Sequence, residues 1–379
     1  MAWFAVLFLV AIALMVGRWW HLLAELVPKR VRAPAGILFA LLPLALVGNF
    51  ALPSGWHLVR TAVGAVAALW MFCASLFVPL WICWEAARLA RRLLKRPPLP
   101  PAAAGRIGLG LLLLFAALAA FSFVNAVRAP DVAEYEFRVD GKTERPLRVA
   151  FFSDLHFDAL YLPGQTERLA EAIEALAPDA VLFGGDLSDA DTLLLSGRGL
   201  GDALRRIAPP LGIWATTGNH EAYLGRAEEV RTWAANRGWR WLLDSTACVG
   251  GAFCVTGRTD PQVARRTGTP RADLASLRPD SANASLPWIV LDHQPQLGQR
   301  EAVEAGADLV LSGHTHDGQQ FPWNLVVKAI YENPHGAVVY GKNGHHGMAV
   351  TSSGFGTWGM PFRLATSSEV VLVTLKGRN

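Results

Sequence analysis

Hydrophobic residues are distributed in two different ways along the chain. Between Trp3 and Val127 they form long unbroken runs, Trp3–Val16, Ala35–Leu52, Thr61–Trp84 and Ile107–Val127, separated by short polar connections. A helix needs roughly 20 apolar residues to cross a hydrocarbon core about 30 Å thick. The runs therefore predict an all-α bundle of about four transmembrane helices over 1–127, the first being the shortest. Beyond Val127 the apolar runs shorten and each ends in a polar cluster. "EYEFRVDGKTERP" alternates and predicts an edge strand, whereas "LRVAFFSDLH", "AVLFGGDLSD", "LGIWATTGNHE", "WIVLDHQP" and "ADLVLSGHTH" predict buried strands that stop at polar residues. Between the first two of these, "TERLAEAIEALAPD" has helical spacing and stops at Pro178. "AVVY", "GMAVTSSG" and "EVVLVTL" predict strands near the C-terminus. This repetition predicts an α/β domain over 128–379 in which the carboxyl ends of the strands gather one site. Asp260–Leu286 is polar and without clear period, and reads as an insertion bordering that site.

Composition sharpens the division. With 379 residues, 52% hydrophobic, 17% charged and a mean hydropathy of +0.27, the chain is too apolar for an ordinary soluble enzyme. A cleaved signal peptide does not account for the first run, because no basic residue precedes it and three further runs follow. Residues 1–127 hold 11 Lys and Arg against 2 acidic residues, and residues 128–379 hold 24 against 29, so the overall +4 hides two halves of opposite sign. The first connection carries Arg18, Lys29, Arg30 and Arg32, the third Arg88, Arg91, Arg92, Lys95, Arg96 and Arg106, and the second only Arg60. By the positive-inside rule the first and third connections face the cytoplasm. The expected protein sits in the inner or plasma membrane, with everything after Val127 on the extracytoplasmic side. Its expected partner is the lipid bilayer, and the acidic second domain argues against nucleic acid.

Cys73 and Cys83 fall in the third run and read as packing residues. Cys248 and Cys254 flank "VGGAF", whose Gly-Gly reads as a hairpin turn. An outward-facing domain could join them in a disulfide, but hairpin register decides that, and the sequence leaves it open. A zinc site fits less well, since no second cysteine pair exists.

The polar clusters carry the candidate chemistry: Asp154 and His156 in "SDLH", Asp186 in "GGDLSD", Asn219 and His220 in "TGNHE", His293 in "LDHQP", His314 and His316 in "SGHTH". Taken singly each has an ordinary use. An aspartate caps the helix after its strand, Gly-Asn makes a turn, and H-x-H sits in a surface loop. Together, at the ends of five strands, they are the oxygen and nitrogen donors that divalent metals select.

In this order the clusters resemble the calcineurin-like metallophosphoesterases, whose signature runs D-x-H, G-D, G-N-H-[DE], a lone H and G-H-x-H. The resemblance covers about residues 147–376 and extends to a membrane-anchored subgroup through "HQP" at His293–Pro295, Ser312–Gln319, and "SGFGTWGMPFR" at Ser353–Arg363. It implies a sandwich of two mixed β-sheets flanked by helices and a pair of divalent ions, manganese, iron or zinc. Asp186 would bridge them, with Asp154, His156 and His316 completing one site and Asn219, His293 and His314 the other. Hydroxide held between the metals would attack phosphorus in line, and His220, catalytic but not a ligand, would serve the leaving oxygen. Asp158, Asp189 and Asp292 border ligands without matching one. Asp317 stands where the subgroup has Gly, which leaves the backbone there open. Arg363 is a candidate contact for a substrate phosphate, and His345 and His346 lie in a Gly-rich loop of solvated character.

The expected activity is that of an integral-membrane phosphohydrolase acting on a lipid-linked phosphoester or pyrophosphate. The alternatives are a cytoplasm-facing hydrolase of the UDP-2,3-diacylglucosamine type, which the charge bias opposes, and a non-catalytic membrane scaffold, which the full set of ligand types opposes. Substrate, metal identity and oligomeric state are not legible at this level.

Overall fold

A computed structural model describes residues 2–45, 56–97, 100–139, 141–158, 160–162, 164–189, 199–224 and 227–377. The chain divides into two compact units, Met1–Phe123 and Val124–Asn379.

The first unit is helical: Ala2–Leu23, Lys29–Leu41, His57–Leu93, and Pro101–Val127, which runs on into the second unit. Among the described residues, two segments, Leu58–Leu93 and Ala102–Val127, are long and apolar enough to cross a membrane. They overlap the third and fourth expected spans. The first expected span lies within Ala2–Leu23. The second, Ala35–Leu52, begins in Lys29–Leu41, a helix of 13 residues, and its end at 46–52 lies outside the described residues. Thirteen residues at about 1.5 Å each fall short of a bilayer core. The third helix runs well past Trp84 because "EAARLARRL" is built from strong helix formers. Arg88, Arg91 and Arg92 of the basic connection therefore sit on its helical extension. Within this unit Trp19 stacks on Phe77 with ring centroids 4.8 Å apart, and Arg18 pairs with Glu85 at 3.1 Å.

The second unit holds two mixed six-stranded sheets among its described residues. The first has the order β1 (Asp131–Arg138), β12 (Glu369–Lys376), β2 (Leu147–Phe152), β3 (Ala180–Phe183), β4 (Ile213–Ala215) and β5 (Trp239–Trp241). The second has the order β10 (Gly336–Lys342), β11 (His345–Thr351), β9 (Leu309–Ser312), β8 (Trp288–Leu291), β7 (Phe253–Gly257) and β6 (Ser245–Val249). The expected edge strand is β1, paired parallel to β12.

Strand alternation builds the core. Val149 and Phe151 of β2 and Leu182 of β3 meet Ile289, Leu291, Leu309 and Leu311 between the sheets, while Ala150, Phe152 and Phe183 face the helices Gly164–Leu176 and Ala227–Ala235. On the far face of the second sheet Val290 and Val310 pack with Ala302 and Val303 of the helix Gln299–Glu304. Strands buried on both sides read as continuous apolar runs, which is the pattern seen in the sequence.

β2 to β5 run parallel in one sheet, and β7, β8, β9 and β11 run parallel in the other. Their carboxyl ends open at one edge, where Gly313 N–H donates to the His293 carbonyl at 3.0 Å and the His293 ring contacts the Gly184 carbonyl across the sheets at 2.8 Å. Both hairpin turns of the second sheet, at Gly250-Gly251 and Asn343-Gly344, lie at the opposite edge. In the first hairpin Cys248 pairs directly with Cys254, and the two form a disulfide. Asp260–Leu286 is not structureless: Asp260 caps the helix Pro261–Thr267, and Leu274–Leu277 forms a 3-10 turn. Elements of seven and four residues are too short to show a period.

Candidate metal centre

Each polar cluster leaves the carboxyl end of a strand: Asp154 and His156 after β2, Asp186 after β3, Asn219 and His220 after β4, His293 after β8, His314 and His316 after β9. Asp154, His156, Asp186, Asn219, His293 and His316 are buried, and His220 and His314 are half-buried. Among the described residues potential ligand atoms converge in three groups, Asp154–His156–His316, Asp186–His293–His314 and His156–Asp186–His220, in each of which the atoms lie within 4.8 Å of one another. Asp186 belongs to two of them. Its Oδ2 lies 3.0 Å from His293 Nε2 and 3.7 Å from His156 Nε2. Asp154 Oδ1 lies 3.4 Å from His316 Nε2.

The backbone is bent to achieve this. Asp154, His156, Asp186, His314 and His316 all adopt left-handed φ values, between 47° and 71°. Non-glycine residues held there cost about 1–3 kcal/mol each and persist only where the surroundings determine them. Asp317 takes the same region, φ 47° and ψ 36°, a conformation that aspartate visits more readily than most side chains. At Gly218 a Cβ would collide with Asp186 Oδ1, and at Gly313 with Asp154 Oδ2. These carboxylates lie directly against the glycine backbone, and only glycine permits that approach.

The donor set fits cations. His156 Nε2 faces His316 Nε2 at 3.0 Å, and two ring nitrogens need a proton or a shared cation between them. His293 Nε2 and Asn219 Oδ1 are buried without a hydrogen-bond partner; the first lies close to Asp186 but outside hydrogen-bond geometry. Burial would raise the Asp186 carboxyl, but the His293 charge beside it holds it at about 2. Burial would favour a neutral His293, yet Asp186 and Asp154 push it up to about 10. Burial and the His293 charge lower His314 to about 4. Metal binding at His293 is therefore expected to release a proton.

Two further residues support the ligands: Asp189, which the sequence places beside a ligand without matching one, and Glu221, which the sequence reading did not single out. Asp189 Oδ1 contacts His156 Nδ1 at 2.9 Å and His220 Nδ1 at 2.6 Å, orienting both rings so that each Nε2 faces Asp186. Its signal was the second aspartate of "GGDLSD". Glu221, the final residue of "TGNHE", accepts backbone N–H bonds from Gly218 (2.6 Å), Leu187 (2.7 Å) and Asp186 (3.1 Å), joining two site loops through one buried carboxylate. Burial and the Asp186 charge raise Glu221 to about 7. Asp189→Asn should cost about 10- to 100-fold in activity, the range for a group that orients a ligand. Steady-state kinetics with metal analysis would check it, and an unchanged variant would refute the orienting role.

Other candidates lie elsewhere. Arg363 is fully buried, and its guanidinium donates to the carbonyls of Ser353, Gly354, Gly356 and Ser367. It holds the loop around Asp154, with Nη1 and Nη2 committed to those carbonyls. His345 and His346 begin β11, at the edge away from the site, where His345 Nε2 contacts the Ala307 carbonyl. Asp292 pairs with Arg271 of the 260–286 segment at 2.7 Å, and Asp158 accepts from the Leu160 N–H.

The chain is similar to known proteins of one family. The family model described as calcineurin-like phosphoesterase matches residues 147–318. A "Transmembrane protein with metallophosphoesterase domain" from Danio rerio is 31% identical over 276 residues, 70% of this chain and 62% of that protein. An "Uncharacterized metallophosphoesterase" from Helicobacter pylori is 31% identical over 258 residues, 68% of this chain and 67% of that protein. A Bos taurus protein with the same description as the Danio rerio one is 27% identical over 281 residues, 68% of this chain and 60% of that protein.

Proposed function

The chain belongs to the calcineurin-like phosphoesterase family, a family of metal-dependent hydrolases, and from that premise we propose a dinuclear phosphohydrolase that acts outside the cytoplasm on a lipid-linked phosphoester or pyrophosphate. The observation that carries the dinuclear reading is Asp186, whose carboxylate belongs to one ligand group with His293 and His314 and to another with His156 and His220. Asp154, His156 and His316 with Asp186 would hold one ion; Asn219, His293 and His314 with Asp186 would hold the other. Manganese, iron and zinc all suit such nitrogen and oxygen donors. Two such ions polarise phosphoryl oxygens and acidify water. The protein's own part is orientation and proton handling. Asp189 occupies Nδ1 of His220, so its Nε2 is turned toward the metal groups, where it serves the leaving oxygen. Beside it Tyr223, whose ring meets His220 at 4.9 Å, lines a recess with Gln262, Arg265 and Arg266, which suits a second anionic group on the substrate.

The membrane setting rests on the two apolar helices and on relatives described as transmembrane. Sidedness rests on Arg88–Arg96 at the end of the longest helix and on the Cys248–Cys254 disulfide, a bond of oxidising compartments. The substrate class is tested by presenting the purified full chain, with and without chelator, with phospholipids, lipid-linked pyrophosphates and soluble phosphoesters, and reading released phosphate. Chelator-sensitive release from a lipid-linked substrate is expected, and release from soluble esters alone would overturn the lipid reading. Sidedness has its own check. With Cys73 and Cys83 replaced by Ala, Ser281→Cys should react with an impermeant maleimide on intact cells and Arg96→Cys should not; the reverse pattern would place catalysis in the cytoplasm.

A further inference from the structure

The helix Trp323–Ile330 is buried the wrong way round for a soluble domain. Asn324 is its buried residue, while Trp323 (48% exposed), Leu325 (56%), Val326 (43%) and Ile330 (67%) face outward. At 100° per residue these four fall on one arc, and Asn324 and Lys328 on the other. Phe321, just before the helix, and Trp358 are exposed as well. A contiguous apolar surface of this kind marks an interaction site.

Both ends of the helix lie beside the metal centre. Before it, Gln319 accepts the Trp358 N–H at 2.7 Å and donates to the Trp358 and Met360 carbonyls, and Trp358 lies 6.2 Å from the His220 ring. After it, Tyr331 lies 6.3 Å from the His314 ring. The same segment is tied to the end of an apolar helix. Thr366 Oγ1 donates to the Gln319 carbonyl at 2.8 Å, and Asn125 Nδ2 donates to the Thr366 and Arg363 carbonyls at 2.8 and 3.0 Å. Asn125 stands in the last turn of Pro101–Val127, the helix containing the candidate span Ala102–Val127, and its neighbour Val124 is 61% exposed.

From this we infer that Trp323–Ile330, with Phe321 and Trp358, lies in the interfacial layer of a lipid bilayer and holds the rim of the metal centre at the membrane surface. The occupant is lipid because a short hydrogen-bond chain links this face to the point where an apolar, span-length helix ends. The composition also suits it: tryptophans and aliphatic residues on one arc, and a lysine that extends its charge toward headgroups on the other. A phosphoryl group on a lipid would then reach the site without leaving the membrane plane. That consequence rests on the proposed substrate class, whereas the docking itself does not.

The test uses the full chain in lipid nanodiscs, with Cys73 and Cys83 replaced by Ala and the disulfide kept. Nitroxides are attached through Leu325→Cys, Ile330→Cys or, as a reference, Ser281→Cys. Oxygen and a soluble nickel chelate then compete to relax each spin. Positions 325 and 330 should favour oxygen and position 281 nickel. Nickel access at 325 and 330 equal to that at 281 would overturn the inference. Shielding from both reagents would also overturn it, showing that protein covers the face. Leu325→Glu with Ile330→Glu should lower hydrolysis of a membrane-embedded phosphoester at least about tenfold and leave a soluble aryl phosphate unchanged; equal losses on both would refute the presenting role. If 325 and 330 report lipid while the parent protein hydrolyses no lipid phosphoester, the docking stands and the substrate class falls.

Discussion

Asp186→Asn should strip metal from both halves of the centre at once and lower phosphoester hydrolysis by about 10²- to 10³-fold, the scale of losing an electrostatic group at the reacting centre. The residue is buried, and its Oδ2 faces His293 and His156, so an amide there removes the charge opposing two cations and can turn an N–H toward imidazole nitrogens. Folding should survive. Asp186 Oδ1 accepts the His220 N–H at 2.8 Å, and an asparagine oxygen can do the same. His316→Ala, by contrast, touches only the group formed with Asp154 and His156 and should chiefly empty that one. Elemental analysis of purified variants separates the two cases. Two ions retained per chain in Asp186→Asn, with full activity, would refute the bridging role.

His220→Ala should leave metal content near normal while turnover falls about 10²- to 10⁴-fold, the range for a lost general acid. The geometry sets up a genuine alternative, because His220 Nε2 is also within 4.0 Å of Asp186 Oδ2 and joins a ligand group with His156. If His220 were a ligand, its removal would take metal with it. If it donates a proton, p-nitrophenyl esters should suffer less than alkyl esters, since a good leaving oxygen needs no proton. Equal losses with both would assign His220 to positioning or charge stabilisation.

What the sequence revealed depended on length scale. Runs such as "LVL" before Ser312 are buried on both faces, and their endings carry donors, so strand, edge and candidate ligand could be read together. Glu221 was not legible and Asp189 only as a neighbour of a ligand, because their roles depend on partners 33 residues away at His156 and 34 or more away at Leu187 and Asp186. Arg363 misled for a related reason. Following "P-x-R", it had the look of an anion contact, and only the fold shows four carbonyls closing around it. The Cys248–Cys254 pairing waited on register, which the Gly-Gly turn settled by setting the two residues directly opposite. Helix ends in the first unit were hardest, since hydropathy marks where lipid would lie and not where backbone hydrogen bonding stops.

The polarity of the strands leaves one side of the domain free for handling. The turns at Gly250-Gly251 and Asn343-Gly344 close hairpins at the edge away from every ligand, and φ is positive at all four residues. A short affinity peptide spliced into either turn would extend a loop that carries no chemistry. The protein can therefore be captured, labelled or fixed to a sensor surface by that edge while its reacting face stays open to the substrate presented to it.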